Sequence, residues 1–354
     1  MKKSLSLIAG VLSLSLLLGG CSWMDGYYHH ATAHMQEQQS KDPENITVSS
    51  YIELRNAVER LVEQCAQKRI VYTHNMDRDA VEKYMQMITS YVQVNNPIGA
   101  YALESINYAV GTNVGGQAIA MDFRYRHLRS EIMQVKRTET MDEAIGLITS
   151  ALNNCDPGVT MLVSHYTETD LTQLIQDYVT QNPDKCMEMP QISAMVYPEH
   201  GDRRVLEISF RYQNSRDVLR NMQETVGPIF ASAELYVQGN AQEREKLAQL
   251  YSFLMERYDY TYETSITPAY SLLRHGIGDA KAFAVVYGAM CRAAGIPCQI
   301  VQGTKEGVPA CWNEVTVNGI SYYIDLIDCA ESGGFRLKNK EGMRGYVWDY
   351  SAYP

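Results

Sequence analysis

Apolar positions along the middle of this chain alternate between two periods. The stretch AVERLVEQCAQKRIVYTHNMDRDAVEKYM (57–85) opens at helical spacing, passes through a short apolar run ending at His74, and starts a second helical pattern beside an Asp. AIGLITSALNNCDPGVTMLVSHYTETDLTQLI (144–175) repeats that plan, its run ending at His165. AIAMDFRY (118–125) is answered by VLEISFRY (205–212), both alternating apolar and polar as half-buried strands do. Cys65 to Cys155, His74 to His165 and Phe123 to Phe210 keep offsets of 90, 91 and 87 residues, which predicts two tandem copies of one unit. Each copy reads strand, helix, strand, strand, helix (βαββα). The first places strands at 69–73, 100–109 and 117–126, with helices at 79–92 and from 130 into the next unit. The second places strands at 160–164, 191–197 and 204–211, with helices at 170–180 and 215–233. Strands with one wet face predict an α+β layer pair, and nothing catalytic stands in it. His74 and His165, where a strand hands over to a helix, are expected to cap backbone groups.

Past Gln238-Gly239-Asn240 the pattern changes. AQEREKLAQLYSFLMERYDY puts Leu247, Leu250, Tyr251, Leu254, Met255 and Tyr258 on one helical stripe, a helix covering a core. GIGDAKAFAVVYGAMCRAAGIPC (276–298) is a glycine turn running into an apolar helix that stops at Gly-Ile-Pro. Then come CQIVQG, ACWNEVTV, the dipeptide Asn318-Gly319 and ISYYIDLIDC; an Asn-Gly between two alternating runs is a strong two-residue hairpin signal. If Val317 faces Ile320, Trp312 lies opposite Asp325 and Ala310 opposite Ile327. Those four side chains then share one face, against which the helix starting near Ala280 is expected to lie.

A glycine turn that opens a helix toward a cleft is a place where enzymes hold a nucleophile, because the dipole and free N–H groups stabilise an anion. Here Ala280 stands there. The order Gly-x-Gly into a helix, Gly-Ile-Pro, Trp-Asn-Glu-Val and a spaced Tyr-Tyr-x-Asp resembles the transglutaminase-like superfamily, the papain-like Cys-His-Asp fold of bacterial envelope proteins, over about residues 241–328. The resemblance implies a papain-like α+β domain with a helix packed on an antiparallel sheet. In that family the nucleophilic Cys falls at Ala280, the general base His at Ala310, with Cys311 where the family has Ala, and the orienting carboxylate at Asp325. The chemistry needs a thiolate and a base that takes and returns a proton, and methyl groups do neither. The expectation is a degenerate, non-catalytic domain, with Trp312, Asn313, Glu314, Asp279 and His275 as groove candidates. Asp279 is expected to cap the helix, repelling any nearby thiolate.

The N-terminus changes the setting. MKKSLSLIAGVLSLSLLLGGC has two lysines, an uncharged run and small residues before Cys21, an export signal too short to span a bilayer comfortably. Its ending resembles the bacterial lipobox, which implies lipidation of Cys21 and an extracytoplasmic, membrane-anchored lipoprotein. Residues 22–50 read as a polar tether, with His29, His30 and His34 as incidental solvated side chains rather than a metal site. Without Lys2 and Lys3, 29 Lys+Arg face 41 Asp+Glu, spread along the chain, so nucleic acid is excluded as a partner class. No metal or cofactor is expected. Seven cysteines follow Cys21; Cys155 with Cys186, and pairs among Cys291, Cys298, Cys311 and Cys329, are disulfide candidates, an odd count leaving Cys65 or another thiol over. The expected organisation is signal (1–20), lipidated cysteine and tether (21–50), repeat units (51–138 and 139–238) and the transglutaminase-like domain (239–354).

Three functions follow from this organisation. The first is a surface lipoprotein that binds an envelope polypeptide or peptidoglycan peptide in an inert groove. The second is an active peptidase, amidase or acyl transferase with relocated residues. The third is a scaffold whose repeat units do the binding.

Overall fold

The structure, a computed structural model, describes residues 46–113 and 116–349. The signal, Cys21 and the tether histidines lie outside the described residues. Among the described residues, which belong to one compact unit, three four-stranded sheets and one two-stranded ladder form. No described helix is long and apolar enough to cross a membrane.

The first sheet is built from β1 (Ile46–Val48), α1 (Tyr51–Glu63), β2 (Lys68–Thr73), α2 (Arg78–Asn95), α3 (Pro97–Ala102), β3 (Leu103–Asn113), β4 (Gly116–Tyr125) and α4 (Arg129–Met133), in strand order β1-β2-β4-β3. The second follows from β5 (Lys136–Thr140), α5 (Met141–Asn153), β6 (Gly158–His165), α6 (Leu171–Gln181), β7 (Gln191–Tyr197), β8 (Arg204–Arg211) and α7 (Arg216–Tyr236), in order β5-β6-β8-β7. In both, the first pair is parallel and the other pairs antiparallel. The local devices match too. Ser50 and Thr140 cap α1 and α5 through the amides of Glu53 and Glu143, whose carboxylates reach back to the amides of Ser49 and Glu139. Both helices then stop at a cysteine in the left-handed region, Cys65 at φ 54° and Cys155 at φ 51°.

Several expected boundaries move. The predicted strand over 100–109 begins inside α3, because Asn96 accepts the Gly99 amide and Pro97 supplies the first helical φ. The helix expected from 130 ends at Met133, and β5 follows it. Its sequence, KRTET, has one buried residue and no alternation; parallel pairing to β6 makes it a strand. The expected 138/139 boundary therefore cuts β5, and β1 precedes residue 51. His74 and His165 are exposed, and Asp77 and Asp170 cap the helices instead, by the amides of Ala80 and Gln173.

The C-terminal part contains α8 (Glu243–Met255), β9 (Asp259–Tyr260), α9 (Pro268–His275), β10 (Ile277–Gly278), α10 (Ala280–Ala293), β11 (Cys298–Lys305), β12 (Val308–Val317), β13 (Ile320–Ile324), α11 (Leu326–Glu331) and β14 (Tyr346–Trp348). Its sheet runs β13-β12-β11-β14. The hairpin has the register read from Asn318-Gly319, from Val317 opposite Ile320 to Asn313 opposite Ile324. There the ladder ends, because Asp325 leaves the strand to cap α11; Ala310 and Ile327 are not a cross-strand pair.

Helix α10 is the centre of this part. Phe283, Val286, Tyr287, Met290 and Cys291 pack with Leu247, Leu250 and Leu254 of α8, Val315 and Val317 of β12, and Leu219, Val226 and Ala233 of α7. The core is thus continuous from the second sheet's helix into the C-terminal sheet. The α10 stop works as the sequence suggests: Gly295 takes φ 82°, the Ile296 amide reaches Cys291 O at 2.9 Å, and Pro297 ends the helix.

Candidate functional site

The helix start is held rigidly. Gly276 caps α9 at φ 83°, and the chain then forms the short parallel ladder β9/β10, with the Thr261 amide on Gly278 O at 2.9 Å. A Cβ on Gly278 would lie 2.9 Å from that of Ala282, so the first turn of α10 closes only over glycine. Asp279 caps the helix as expected, its Oδ1 accepting the Ala282 amide at 2.8 Å. Ala280, next along, presents a half-buried methyl.

The strand face is the main correction. Asn313 Nδ2 donates to Ala284 O at 2.8 Å, and Cys311 packs with Ala284, Val285 and Ile300. Helix α10 therefore covers the face of Cys311, Asn313, Val315 and Val317. Trp312 points to the other face, among Val301, Tyr323, Met343, Tyr346 and Trp348, with Ala310 packed beside it. Ala310 does not share a face with the start of α10, and Trp312, fully buried, is no groove wall. Asn313 and Glu314 are buried as well, and His275 is exposed, edge-on to the Tyr270 ring at 5.3 Å. Of the groove candidates only Asp279, partly exposed, stands at the start of α10.

Cys311 is the thiol that the fold brings to the start of α10. It is 7% exposed, and burial pushes its thiol up to about 12; Lys281 opposes this, while Asp279 and Asp325 add to it. At neutral pH it is a protonated, enclosed thiol, which makes a poor nucleophile.

The carboxylate of Asp325 is fully engaged. Oδ1 accepts the amides of Ile327 at 3.1 Å and Asp328 at 3.0 Å, and Oδ2 accepts the Tyr346 hydroxyl at 2.9 Å. Burial, then the charge of Asp325, raises the Tyr346 phenol above its ordinary value. Behind it, Asp328 takes Lys305 at 2.7 Å and Lys338 at 2.6 Å. Burial alone would raise Asp328, but the two lysine hydrogen bonds override it and hold the carboxyl below its usual range.

Sequence reasoning missed the aromatic rim. Tyr262 is 86% exposed, Ile277 45%, and the rings of Tyr260 and Tyr262 meet edge-on at 5.1 Å. Tyr260 pairs with Gly278 across the β9/β10 ladder, which sets it beside the start of α10, and burial raises its phenol. The alternating tyrosines of YDYTYE (258–263) were the available signal. The other described cysteines are buried and unbridged; Cys298 Sγ accepts Asn313 Nδ2 at 3.5 Å, Cys186 Sγ donates to Asn153 Oδ1 at 3.9 Å, and Cys329 donates to Arg336 O at 3.4 Å. No three His, Cys, Asp or Glu side chains gather as a metal site among the described residues.

Comparison with known proteins agrees with this architecture in one region. The transglutaminase-like superfamily matches residues 231–324. Among solved structures, a TGase aligns over 58% of this chain and 62% of its own at 11% identity and a TM-score of 0.29. A protein provisionally named a cysteine protease, from Cytophaga hutchinsonii, aligns over 45% and 65% at 14% identity and a TM-score of 0.27. A provisionally named protease from Parabacteroides distasonis aligns over 59% and 46% at 12% identity and a TM-score of 0.25. The chain thus spans less than two thirds of each. No match is found among curated proteins.

Proposed function

We propose that the transglutaminase-like domain over residues 231–324 is a non-catalytic module that binds an extended polypeptide at the start of α10. A lipid on Cys21 would hold it on the outer side of a bacterial membrane, with an envelope protein or peptidoglycan peptide as partner. One observation carries the reading: the carboxylate of Asp325 is occupied by two amides and a phenol, and the positions that the resemblance assigns to nucleophile and base hold only the methyl groups of Ala280 and Ala310. Among the described residues no imidazole is hydrogen-bonded to that carboxylate. What remains is a helix start rimmed by Tyr260, Tyr262 and Ile277, and exposed aromatic and aliphatic side chains in one place mark interaction sites.

Cys311 beside Asp279 and Lys281 favours the enzyme alternative, and native alkylation decides between them. Iodoacetamide at pH 8 should leave Cys311 unlabelled until the protein is denatured. Stoichiometric native labelling that also stops turnover of a peptide substrate would restore the enzyme reading. For binding, Tyr262→Ser should weaken association with defined envelope-derived peptides about tenfold or more, as loss of an aromatic anchor does, and leave the melting curve unchanged. A scaffold reading predicts no effect. Truncation near Gln238 is a poor test, because α7 and α10 share one core. Cys21→Ser should move the protein from the membrane fraction to the soluble one; retention in the membrane would refute the anchor.

A further inference from the structure

A cleft lies where the second sheet's helix α6 meets α10. It holds about 240 Å³ between Val179 of α6, Ile266 and Ala269 at the start of α9, and Val285 of α10, with Glu188 and Lys281 as its charged lining. Pockets that take a drug-sized ligand measure about 300–1,000 Å³. This one accommodates a chain end or one side chain, not a whole molecule.

Its two charges are not equivalent. Glu188 is 3% exposed and already accepts the amides of Gln213 and Asn214, the latter at 3.1 Å, and Asn214 Nδ2 at 2.8 Å. Its negative charge is satisfied from within the protein. Lys281 takes part in no ion pair among the described residues. It is exposed and stands in the first turn of α10, one residue past Ala280. Ile266, 50% exposed, and Met189, 40% exposed, leave apolar surface at the rim.

We propose that this space captures the carboxy-terminal residue of a bound peptide, its aliphatic side chain between Val179, Ile266 and Val285 and its terminal carboxylate on the Lys281 ammonium. A cleft of mixed lining, with aliphatic side chains on one part and one cation outside any ion pair, selects an anion joined to a small hydrophobic group. A fatty acid offers the same chemistry, but the volume excludes a long acyl chain, and the polar side chains of Thr180, Ser265 and Gln213 in the lining suit a peptide's backbone amides rather than methylene groups. The inference rests on the peptide-binding reading and narrows it to free C-termini.

The test is calorimetric titration of the whole protein with N-acetyl-Tyr-Gly-Val as the free acid and as the C-terminal amide, and with isovalerate. The acid should bind at least tenfold more tightly than the amide. Lys281→Gln, an exposed substitution, should abolish that difference by weakening the acid alone. Equal binding of acid and amide, both weakened by Tyr262→Ser, would overturn the C-terminal pocket and leave the peptide groove standing. Isovalerate binding as tightly as the peptide acid would overturn the peptide as occupant. If no peptide binds, both readings fall together.

Discussion

Removing the Asp325 carboxylate should destabilise the fold, which distinguishes a structural carboxylate from a catalytic relic. In Asp325→Ala, α11 loses an N-cap that serves two amides, a loss of about 0.5–2 kcal/mol. The buried Tyr346 hydroxyl loses its acceptor as well, and an orphaned buried donor costs about 1–3 kcal/mol. Together the expectation is roughly 2–4 kcal/mol. At about 2 °C per kcal/mol for a large domain, the melting temperature falls by about 4–8 °C. Asp325→Asn keeps one acceptor oxygen, enough for the cap or for Tyr346 but not both, so it should fall about midway. Urea unfolding followed by tryptophan fluorescence is a suitable assay, because Trp312 and Trp348 lie in the Tyr346 cluster. Tyr346→Phe in a double-mutant cycle isolates the Asp325–Tyr346 term, with a coupling of about 1–2 kcal/mol expected for contacting partners. If Asp325→Ala unfolds within about 0.5 kcal/mol of wild type, or the two substitutions add without coupling, the carboxylate is not a structural element and the case for a retired site weakens.

Three further outcomes follow. Because Asp328 titrates below its ordinary value in the folded state, its contribution to stability is complete above about pH 4, near the unfolded carboxylate value, and is lost as pH falls through the folded one; Asp328→Asn should flatten that acid limb in pH-dependent urea midpoints, and an unchanged limb would count against the Lys305–Asp328–Lys338 bridge. Ala280→Cys should give a thiol alkylated in the native state, and adding Ala310→His should not accelerate its alkylation at pH 6–7, since residue 310 packs against Trp312 on the face α10 does not cover; a marked acceleration would show that the two positions meet. On treatment with a thiol oxidant, a non-reduced digest should contain the peptide pair Cys291–Cys298, two buried thiols that bracket the end of α10, and recovery of both as free thiols would refute the pairing.

The sequence by itself determined what is local. Asp279 before an apolar run, Gly278 ahead of it and Gly-Ile-Pro behind it specify α10 from end to end, because capping and left-handed stops depend on neighbouring residues alone. Asn318-Gly319 likewise set the hairpin register, since a two-residue turn leaves no slack. That alanines stand at 280 and 310, where the family resemblance expects a thiol and an imidazole, was also legible, being a matter of identity rather than position. Only the tertiary structure decided which face of β12 meets α10. Alternation says that Ala310 and Trp312 share a side and that Cys311 and Asn313 share the other, but both sides are buried, one by the helix and one by Met343, Tyr346 and Trp348 from 30 or so residues further on. A local pattern carries no information about which distant segment wins which face. The same holds for Asp325, whose partner Tyr346 arrives from the far end of the sheet, and for β5, whose polar KRTET becomes a strand only because β6 offers it an edge.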